Sequence, residues 1–471
     1  MKRRMPAWFH IFIAVVLVSI IILEIAENGK PIRTLAWILG LIFLPVVGLV
    51  LYFFFGRDRK NRRMVGSEDM DRLQANAARA CGAHICRELP ADQRNLITLL
   101  YTANRALPVT GNDMRVYTDF SAMYADLLED LESARHHIHF QFFKFEDDET
   151  GRRAEEILAR KALEGVEVRL QIDDLANLTR RAFYRRMEQK GVRVEPFQRV
   201  RLLLSSNTNY RNHRKNVVID GRIGYTGGMN IAKRYAIGIR TGVWRDTHIR
   251  VTGPVVAEMQ TAFLVDWKFS TKQLLDDPAY YPPVPPAGGL LMQVATSGPM
   301  GEFRVIMQAM LRMLTQAKRY IYMQTPYFIP NEPVIFALRN AALSGVDVRL
   351  MLPYRGDDAF FVTWASRSYV KEVLDAGVRV CFYDKGFLHA KTIVSDDEVV
   401  SIGSTNLDIR SFEQDFEINA FIYDRDKAVR MREIFERDER DGHYVDPKVW
   451  SERPTLTRFE ESFARLFSPL L

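Results

Sequence analysis

The pattern His-x-Lys-x4-Asp occurs twice in this chain, as His213-Arg-Lys215-Asn-Val-Val-Ile-Asp220 and as His389-Ala-Lys391-Thr-Ile-Val-Ser-Asp396. In both copies a glycine stands 14 residues and an asparagine 17 residues after the histidine. Such a sparse pattern seldom arises by chance even once in 471 residues, so two copies in the same register exclude coincidence. The pattern therefore indicates two copies of one chemical unit.

The segments around the two motifs are repeated as well. Ala134-Arg-His-His-Ile-His-Phe-Gln141 matches Ala317-Lys-Arg-Tyr-Ile-Tyr-Met-Gln324 at an offset of 183 residues, which indicates a duplicated domain rather than a short-period repeat. Apolar strand patterns alternate with helical ones, so the predicted fold class is α/β, with two duplicated layered domains that form one active site. The predicted domains are a transmembrane hairpin with basic flanks (1–63), a helical connector (64–112), the first repeat (113–276), a Pro-rich linker (277–289) and the second repeat (290–471).

Each motif predicts a strand that carries its chemistry on one face. Residues 213–219 and 389–394 alternate like strands, so the histidine and the lysine, two residues apart, share a face. The aspartate has the opposite parity, and Asp220-Gly221 is a hairpin-turn signal. The aspartates are therefore expected to be structural members of the catalytic motifs, which comprise His213, Lys215, Asp220, His389, Lys391 and Asp396.

Two facing halves would bring together two imidazoles, two ammonium groups and two amides. This set suits a tetrahedral phosphate that gains negative charge during reaction, and Asn230 and Asn406 are predicted to bind its oxygens. One neutral histidine can attack phosphorus, while the other, protonated, gives its proton to the departing alkoxide. The ordinary pKa of histidine, ~6.5, makes both forms accessible near neutrality.

A nucleophilic histidine needs its second ring nitrogen held by an acceptor. Two strand-like segments downstream of the motifs carry an acid at equivalent places, Trp244-Arg-Asp246-Thr-His248 and Asp415-Phe-Glu417-Ile-Asn419. Asp246 and Glu417 are therefore the candidates for the acceptors that hold the two histidines. Spacing alone equally allows each to be an acid on an exposed strand face.

The string His136, His137 and His139 looks like a metal-binding cluster. Its second and third members, however, align with Tyr320 and Tyr322 in the second half, and tyrosine is not a typical ligand in such a set. A strand with ring side chains on one face is the better interpretation. No carboxylate cluster accompanies the motifs, so we predict neither a metal nor a cofactor.

The formal charge of +7 is confined to one end of the chain. Residues 1–63 contain ten Lys or Arg and three acidic residues, whereas the other 408 residues contain 55 of each sign. Uncharged runs at 5–23 and 34–56 are long enough, or nearly so, to span a ~30 Å hydrocarbon core. The basic flanks predict that both ends of this hairpin face the cytoplasm. A cleaved signal peptide is the alternative for the first run.

The duplicated motif with its trailing Gly-x-x-Asn resembles the phospholipase D superfamily. The two N-terminal runs, Asn209-Tyr-Arg-Asn-His-Arg-Lys215, Trp244-Arg-Asp-Thr-His248 and the Ser468-Pro-Leu-Leu471 end are similar to the bacterial cardiolipin synthase family of the two-span type. The resemblance covers essentially the whole chain. It departs at Gly228, where a serine is common, and Ser404 keeps that serine in the second half.

The resemblance implies phosphatidyl transfer from one phosphatidylglycerol to another, with release of glycerol, through a phosphatidyl-histidine and without a metal. It also implies that Asp246 and Glu417 orient the histidines and that His213 is the nucleophile. The implied partners are phosphatidylglycerol and an anionic bilayer, and a homo-oligomer is compatible with the sequence. The implied location is the bacterial inner membrane, with a multi-pass anchor and a cytoplasmic catalytic domain.

Three other functions compete with this one. A membrane-tethered phospholipase D hydrolase would use the same residues with water as acceptor. A superfamily nuclease should carry a net-basic catalytic domain, and the charge outside residues 1–63 sums to zero, so no nucleic-acid partner is predicted. A non-catalytic binding protein should have lost a motif residue. The apolar stretches Val200–Leu204 and Phe459–Leu471 could enter a lipid interface, although ordinary core packing is favoured.

Overall fold

The computed structural model describes residues 14, 16–22, 25, 31–52, 64–199, 209–301, 303–357 and 360–470. The chain divides into two units. The first consists of residues 1–60 with 200–209, and the second of residues 61–199 with 210–471.

The first unit is helical where it is described. Helix α1 (Pro31–Phe43) and helix α2 (Pro45–Leu51) lie in the second predicted span, and Pro45, which has no backbone N–H, begins α2. The first predicted span is described only at residues 14 and 16–22, which are helical, and residues 1–13, 26–30 and 53–63 of the hairpin lie outside the described residues. Over the parts of the chain that the structure describes, no single helix has both the length and the apolar character needed to cross a bilayer.

The second unit is built from strands and helices that alternate along the chain. Its strands are β1 Val109–Tyr117, β2 His137–Phe142, β3 Glu167–Asp173, β4 Arg193–Phe197, β5 Asn216–Ile219, β6 Ile223–Gly227, β7 Val243–Arg245, β8 His248–Thr252, β9 Leu290–Ser297, β10 Tyr320–Gln324, β11 Phe328–Ile329, β12 Asp347–Pro353, β13 Arg379–Tyr383, β14 Gly386–Leu388, β15 Thr392–Ser395, β16 Val399–Gly403, β17 Leu407–Asp408, β18 Glu417–Tyr423 and β19 Gly442–Tyr444. Its helices are α3 Ser67–Cys81, α4 Arg94–Asn104, α5 Phe120–Ser133, α6 Glu149–Leu163, α7 Arg181–Gln189, α8 Lys233–Ile237, α9 Val256–Thr271, α10 Val305–Gln316, α11 Glu332–Leu343, α12 Phe360–Leu374, α13 Ile409–Glu413, α14 Arg425–Glu439, α15 Pro447–Ser451 and α16 Thr455–Arg465.

One sheet of 15 strands runs through both repeats. The first half has the order β1-β8-β6-β5-β2-β3-β4, and the second half has the matching order β9-β18-β16-β15-β10-β12-β13, with β19 added at its edge. The halves join where β1 pairs with β9 in antiparallel orientation. The duplicated α/β architecture predicted from the sequence repeats is therefore confirmed.

Each motif strand lies beside the central strand of its own half. Strand β5 pairs with β2, and β15 pairs with β10, both in antiparallel orientation. The central strands are buried along their whole length because helices cover both faces of the sheet. The motif lysines Lys215 and Lys391 directly precede β5 and β15, so the motif histidines and lysines lie at the N-terminal ends of these strands.

The ring side chains of β2 serve the core rather than a ligand. His137 Nε2 lies 3.0 Å from Gln260 Oε1 on α9, and Gln260 Nε2 lies 2.7 Å from His139 Nδ1. The His139 ring stacks on Phe263 with its centroid 4.4 Å away. One glutamine thus satisfies both buried histidines, on the same face that carries Tyr320 and Tyr322 in β10.

Candidate active site

The two halves exchange backbone hydrogen bonds at the motif histidines. The His213 N–H donates to Phe416 O at 3.0 Å, and the His389 N–H donates to Arg245 O at 2.7 Å. In addition, β14 pairs in parallel with β7 just before His389. Each histidine is therefore attached to the residue that precedes the candidate acid of the other half.

These connections give each histidine a carboxylate from the opposite repeat. His213 Nδ1 lies 3.1 Å from Glu417 Oε1, and His389 Nδ1 lies 2.6 Å from Asp246 Oδ2. Both carboxylates are completely buried. When Nδ1–H donates to the carboxylate, Nε2 keeps its lone pair, which is the arrangement that a nucleophile or a proton acceptor needs.

The motif lysines lie against the same histidines. Lys215 Nζ donates to His213 O at 2.6 Å, and Lys391 Nζ donates to His389 O at 2.6 Å while lying 2.9 Å from His389 Nδ1. Burial lowers the pKa of Lys215 to about 7 and that of Lys391 to about 8. Both lysines therefore lose a proton close to neutral pH, and each lies beside the histidine of its own motif.

The histidines differ from the sequence-based expectation in their proton affinity. Burial, and then the nearby lysines, hold the pKa of both His213 and His389 well below the ordinary value of ~6.5. Both rings are therefore neutral in the empty site at neutral pH. Because an anionic phosphate would offset the lysine charges, its arrival would favour protonation of one ring.

The motif aspartates lie at the opposite end of the strands from the histidines. Asp220 accepts hydrogen bonds from the backbone N–H groups of Arg135, His136 and His137. Asp396 accepts the equivalent three from Lys318, Arg319 and Tyr320. Both aspartates have a positive φ, 51° and 56°, as a turn residue does. Their contacts fix the start of each central strand, which is the structural placement that strand parity predicts.

The two asparagines have partners within the protein. Asn230 Nδ2 donates to the Tyr235 hydroxyl at 2.7 Å, and its Oδ1 accepts from the Lys144 N–H at 3.0 Å. Asn406 has a side-chain hydrogen bond with Asp408, and its buried Oδ1 has no hydrogen-bond partner. The second asparagine therefore has the greater unused capacity for a ligand.

The Gly228 departure has a local explanation. A Cβ atom at Gly228 would lie 2.1 Å from Asp246 Oδ1, so a serine cannot stand there with the aspartate in this position. In the second half, Ser404 instead donates its hydroxyl hydrogen to Glu417 Oε2. The two histidine–carboxylate pairs therefore have equivalent contacts, but a serine hydroxyl donates to the carboxylate only in the pair that contains Glu417.

Two buried arginines bridge the halves, and the motifs did not identify them. Arg214 pairs with Asp266 of α9 and donates to Glu417 O at 3.0 Å. Arg245 pairs with Asp438 of α14, with Nε 3.0 Å from Oδ1, and donates to Asp246 O at 2.5 Å. Each guanidinium thus holds the backbone of one histidine-orienting acid. Spacing gives no signal for them, because Arg214 is the variable position of its motif.

The rest of the site is aromatic and basic. The Phe143 ring centroid lies 5.0 Å from His213, and that of Trp244 lies 5.2 Å from His389. Lys144 is close enough that its charge lowers the pKa of His389. Within the described residues, no group of three or more His, Cys, Asp or Glu side chains is arranged to hold a metal ion.

We expect kcat/KM to fall as pH rises through about 7 to 8. This fall in kcat/KM follows from the lowered pKa values of Lys215 and Lys391, because a deprotonated lysine no longer carries the charge that attracts the phosphate. Lys215→Arg should move the start of the fall from about pH 7 to about pH 8, where Lys391 still loses its charge, at the cost of a lower maximum, because a guanidinium stays charged. Initial rates from pH 6 to about 9 would check this, and a flat profile over that range would contradict it.

The mirrored sheet and the crossed histidine–carboxylate pairs define a phosphoryl-transfer site of the phospholipase D class. The chain belongs to the family described as "Cardiolipin synthase, PLD-like domain", whose model matches residues 127–267 and 310–439. A second model, described as phospholipase D-nuclease N-terminal, matches residues 11–57. The family is one of phosphatidyltransferases, and the chain is accordingly an enzyme of that class.

Full-length relatives agree with this assignment. The major cardiolipin synthase of Bacillus subtilis (strain 168) is 38% identical over 473 residues, which cover 98% of each chain. The cardiolipin synthase of Oceanobacillus iheyensis is 37% identical over 96% of each chain. The crystal structure of phosphatidylserine synthase from Haemophilus influenzae Rd KW20 is 14% identical, with a TM-score of 0.61 over 81% of this chain and 100% of that one. This last likeness shows the shared fold alone.

Proposed function

We propose that the protein joins two phosphatidylglycerol molecules into cardiolipin and releases glycerol. The observation that carries the proposal is the pair of crossed contacts, His213–Glu417 and His389–Asp246, in one buried site with two lysines. The two rings have equivalent connections, so one can form a bond to phosphorus while the other transfers protons. The relatives named cardiolipin synthase over nearly the whole chain support the product.

The first step is a displacement at phosphorus. His213 Nε2 attacks the phosphodiester of one phosphatidylglycerol, the bond from phosphorus to the glycerol oxygen breaks, and His389, protonated beside the bound anion, gives its proton to that oxygen. Free glycerol and a phosphatidyl group on His213 result. Lys215 and Lys391 stabilise the charge that develops on the phosphate oxygens.

The second step reverses the roles of the groups. Neutral His389 accepts the proton of a hydroxyl on the second phosphatidylglycerol, whose oxygen attacks phosphorus as the bond to His213 Nε2 breaks. Glu417 and Asp246 keep each ring in the tautomer that presents Nε2 to the substrate.

The identity of the lipid product tests the proposed function. Purified protein in vesicles of defined phosphatidylglycerol should yield cardiolipin and glycerol in equal amounts, measured by mass spectrometry of the lipids and by an enzymatic glycerol assay. Phosphatidic acid as the main product would establish the hydrolase instead. Because glycerol leaves before the acceptor reacts, labelled glycerol should also enter phosphatidylglycerol.

The N-terminal hairpin anchors the catalytic domain to the inner membrane. Support comes from the two uncharged runs, their basic flanks and the match of residues 11–57 to an N-terminal family model. Anchoring keeps the site beside a substrate that is confined to the bilayer, which raises the rate of encounter.

The charge distribution predicts a cytoplasmic catalytic domain. In spheroplasts, a cysteine at position 28, Asn28→Cys, should react with a membrane-impermeant thiol reagent, whereas Ser67→Cys should react only after permeabilisation. Mass-tag electrophoresis would give the labelled fractions. The reverse pattern would contradict the orientation and leave the catalytic mechanism untouched.

A further inference from the structure

The last long helix of the chain turns its apolar side chains outward. Leu456, Phe459 and Phe463 of α16 lie within about 60° of one another around the helix axis. Their side chains are 68%, 67% and 49% exposed. Leu466 and Phe467, just beyond the helix, are exposed as well. We call these five residues the C-terminal apolar face.

The opposite side of α16 packs on α12, where Ala464 joins the apolar core of the second repeat and Arg465 pairs with Glu372. Glu461 and Ala464 are the buried residues of the helix. Arg453 forms two hydrogen bonds to Glu461, with nitrogen–oxygen distances of 2.7 and 2.8 Å. A surface helix normally buries its apolar stripe and exposes its charges, and here that relation is reversed. The core packing favoured from the sequence for this stretch is therefore not observed at these residues.

The C-terminal apolar face continues through aromatic side chains onto α12. The Phe467 ring centroid lies 5.5 Å from Phe463 on one side and 5.5 Å from Phe361 on the other. Phe360, next to Phe361, is also exposed.

Further aromatic contacts lie beside the catalytic residues. Residues 358–359 separate Phe360 from Asp357, which accepts a hydrogen bond of 3.0 Å from the Tyr327 hydroxyl. The Tyr327 ring centroid is 6.3 Å from Phe387, and that of Phe387 is 5.9 Å from His389. Phe387 is completely buried, so these ring contacts belong to the packing beside the site.

We propose that the C-terminal apolar face inserts into the interfacial region of the bilayer and keeps the catalytic domain against it. The face exposes on the order of 500 Å² of mostly aromatic surface, whereas a stable dimer needs about 800 Å² per partner. Leucine and phenylalanine on one side of a helix with charges on the other are typical of interfacial helices. The inference rests on the proposed function, because only a lipid substrate requires the site to meet a membrane.

Fluorescence quenching would test the insertion directly. The full chain, with Cys86→Ser and Phe459→Cys, carries an environment-sensitive label and is reconstituted in vesicles of phosphatidylcholine and phosphatidylglycerol. We expect spin-labelled lipids to quench the label at position 459. A label at Leu163→Cys, comparably exposed on α6 and outside the face, should not be quenched. Equal quenching at both positions, or none at 459, would overturn the inference.

Activity in two lipid environments supplies an independent readout. Phe459→Ser with Phe463→Ser should lower cardiolipin formation in vesicles by about tenfold, because the site loses its hold on the surface. In mixed detergent micelles, where lipid molecules reach the site individually, the rate should stay within about twofold of the wild type. Leu163→Ser with Leu343→Ser, which removes comparably exposed leucines elsewhere, is the matched control.

The outcomes separate this inference from the proposed function. If the wild type makes no cardiolipin, the proposed function is wrong. If the wild type makes cardiolipin but the label at position 459 is not quenched, only the inference is wrong. If unlabelled Phe459→Cys instead forms a disulfide between two copies in vesicles, and the labelled protein is not quenched by spin-labelled lipids, the face is a contact between copies and the proposal is wrong.

Discussion

His213→Ala should abolish both cardiolipin synthesis and the exchange of labelled glycerol into phosphatidylglycerol. The covalent step has no substitute once the nucleophilic nitrogen is removed. His389→Ala should slow both reactions by about 10²–10⁴-fold, the usual contribution of a general acid and base, so that a residual rate can still be measured. Initial rates in vesicles of defined phosphatidylglycerol, followed by lipid mass spectrometry, give both values.

The contrast between the histidines depends on a control that keeps the fold. His443 lies at the surface, where it contacts Asp384 at 2.7 Å, and His443→Ala should leave both rates unchanged. A phosphoryl adduct trapped on His389 rather than on His213 would exchange the two roles and keep the two-step mechanism. No adduct on either ring, together with no glycerol exchange, would contradict a covalent mechanism.

The crossed pairing predicts which double variants lose activity together. Asp246→Asn and Glu417→Gln should each lower the rate by about 10³–10⁴-fold, since the ring loses the acceptor that fixes its tautomer. Asp246 contacts His389, so adding Asp246→Asn to His389→Ala should cost little more than His389→Ala alone. Adding Glu417→Gln to His389→Ala should instead multiply the two losses, because Glu417 serves the other ring.

Rates of the three single and two double variants under the same lipid conditions would measure this coupling. Asp384→Asn, which removes the carboxylate of the surface pair with His443, is the matched control and should have no effect. If Glu417→Gln rather than Asp246→Asn proves redundant with His389→Ala, the acids serve the histidines of their own halves in solution. The crossed arrangement would then be wrong.

The pattern-based predictions succeeded where the information is local. Alternating apolar residues and a spacing of two predicted that each histidine and lysine share a face, and the opposite parity with a turn signal predicted a structural role for Asp220 and Asp396. The mirrored order of the sheet follows from the repeated blocks. Asp246 and Glu417 were identified as candidates because they hold equivalent places in the two repeats.

Three features depend on how the halves pack. Glu417 lies 204 positions from its partner His213 and Asp246 lies 143 from His389, so only the docking of the halves selects the pairs. The lowered histidine pKa values come from burial beside two lysines, which residue type alone does not convey. The arginines that hold Glu417 and Asp246 acquire their partners in the same way.

The sequence by itself determined the duplicated α/β fold, the catalytic residue types and the family, because strand periodicity and motif spacing are properties of neighbouring residues. The tertiary structure alone decided which carboxylate holds which histidine and which side of α16 meets solvent. An amphipathic pattern specifies that a helix has two faces, but the surrounding protein determines which is covered. Here the side of α16 that carries Glu461 and Ala464 packs on the protein, and the apolar side is left exposed.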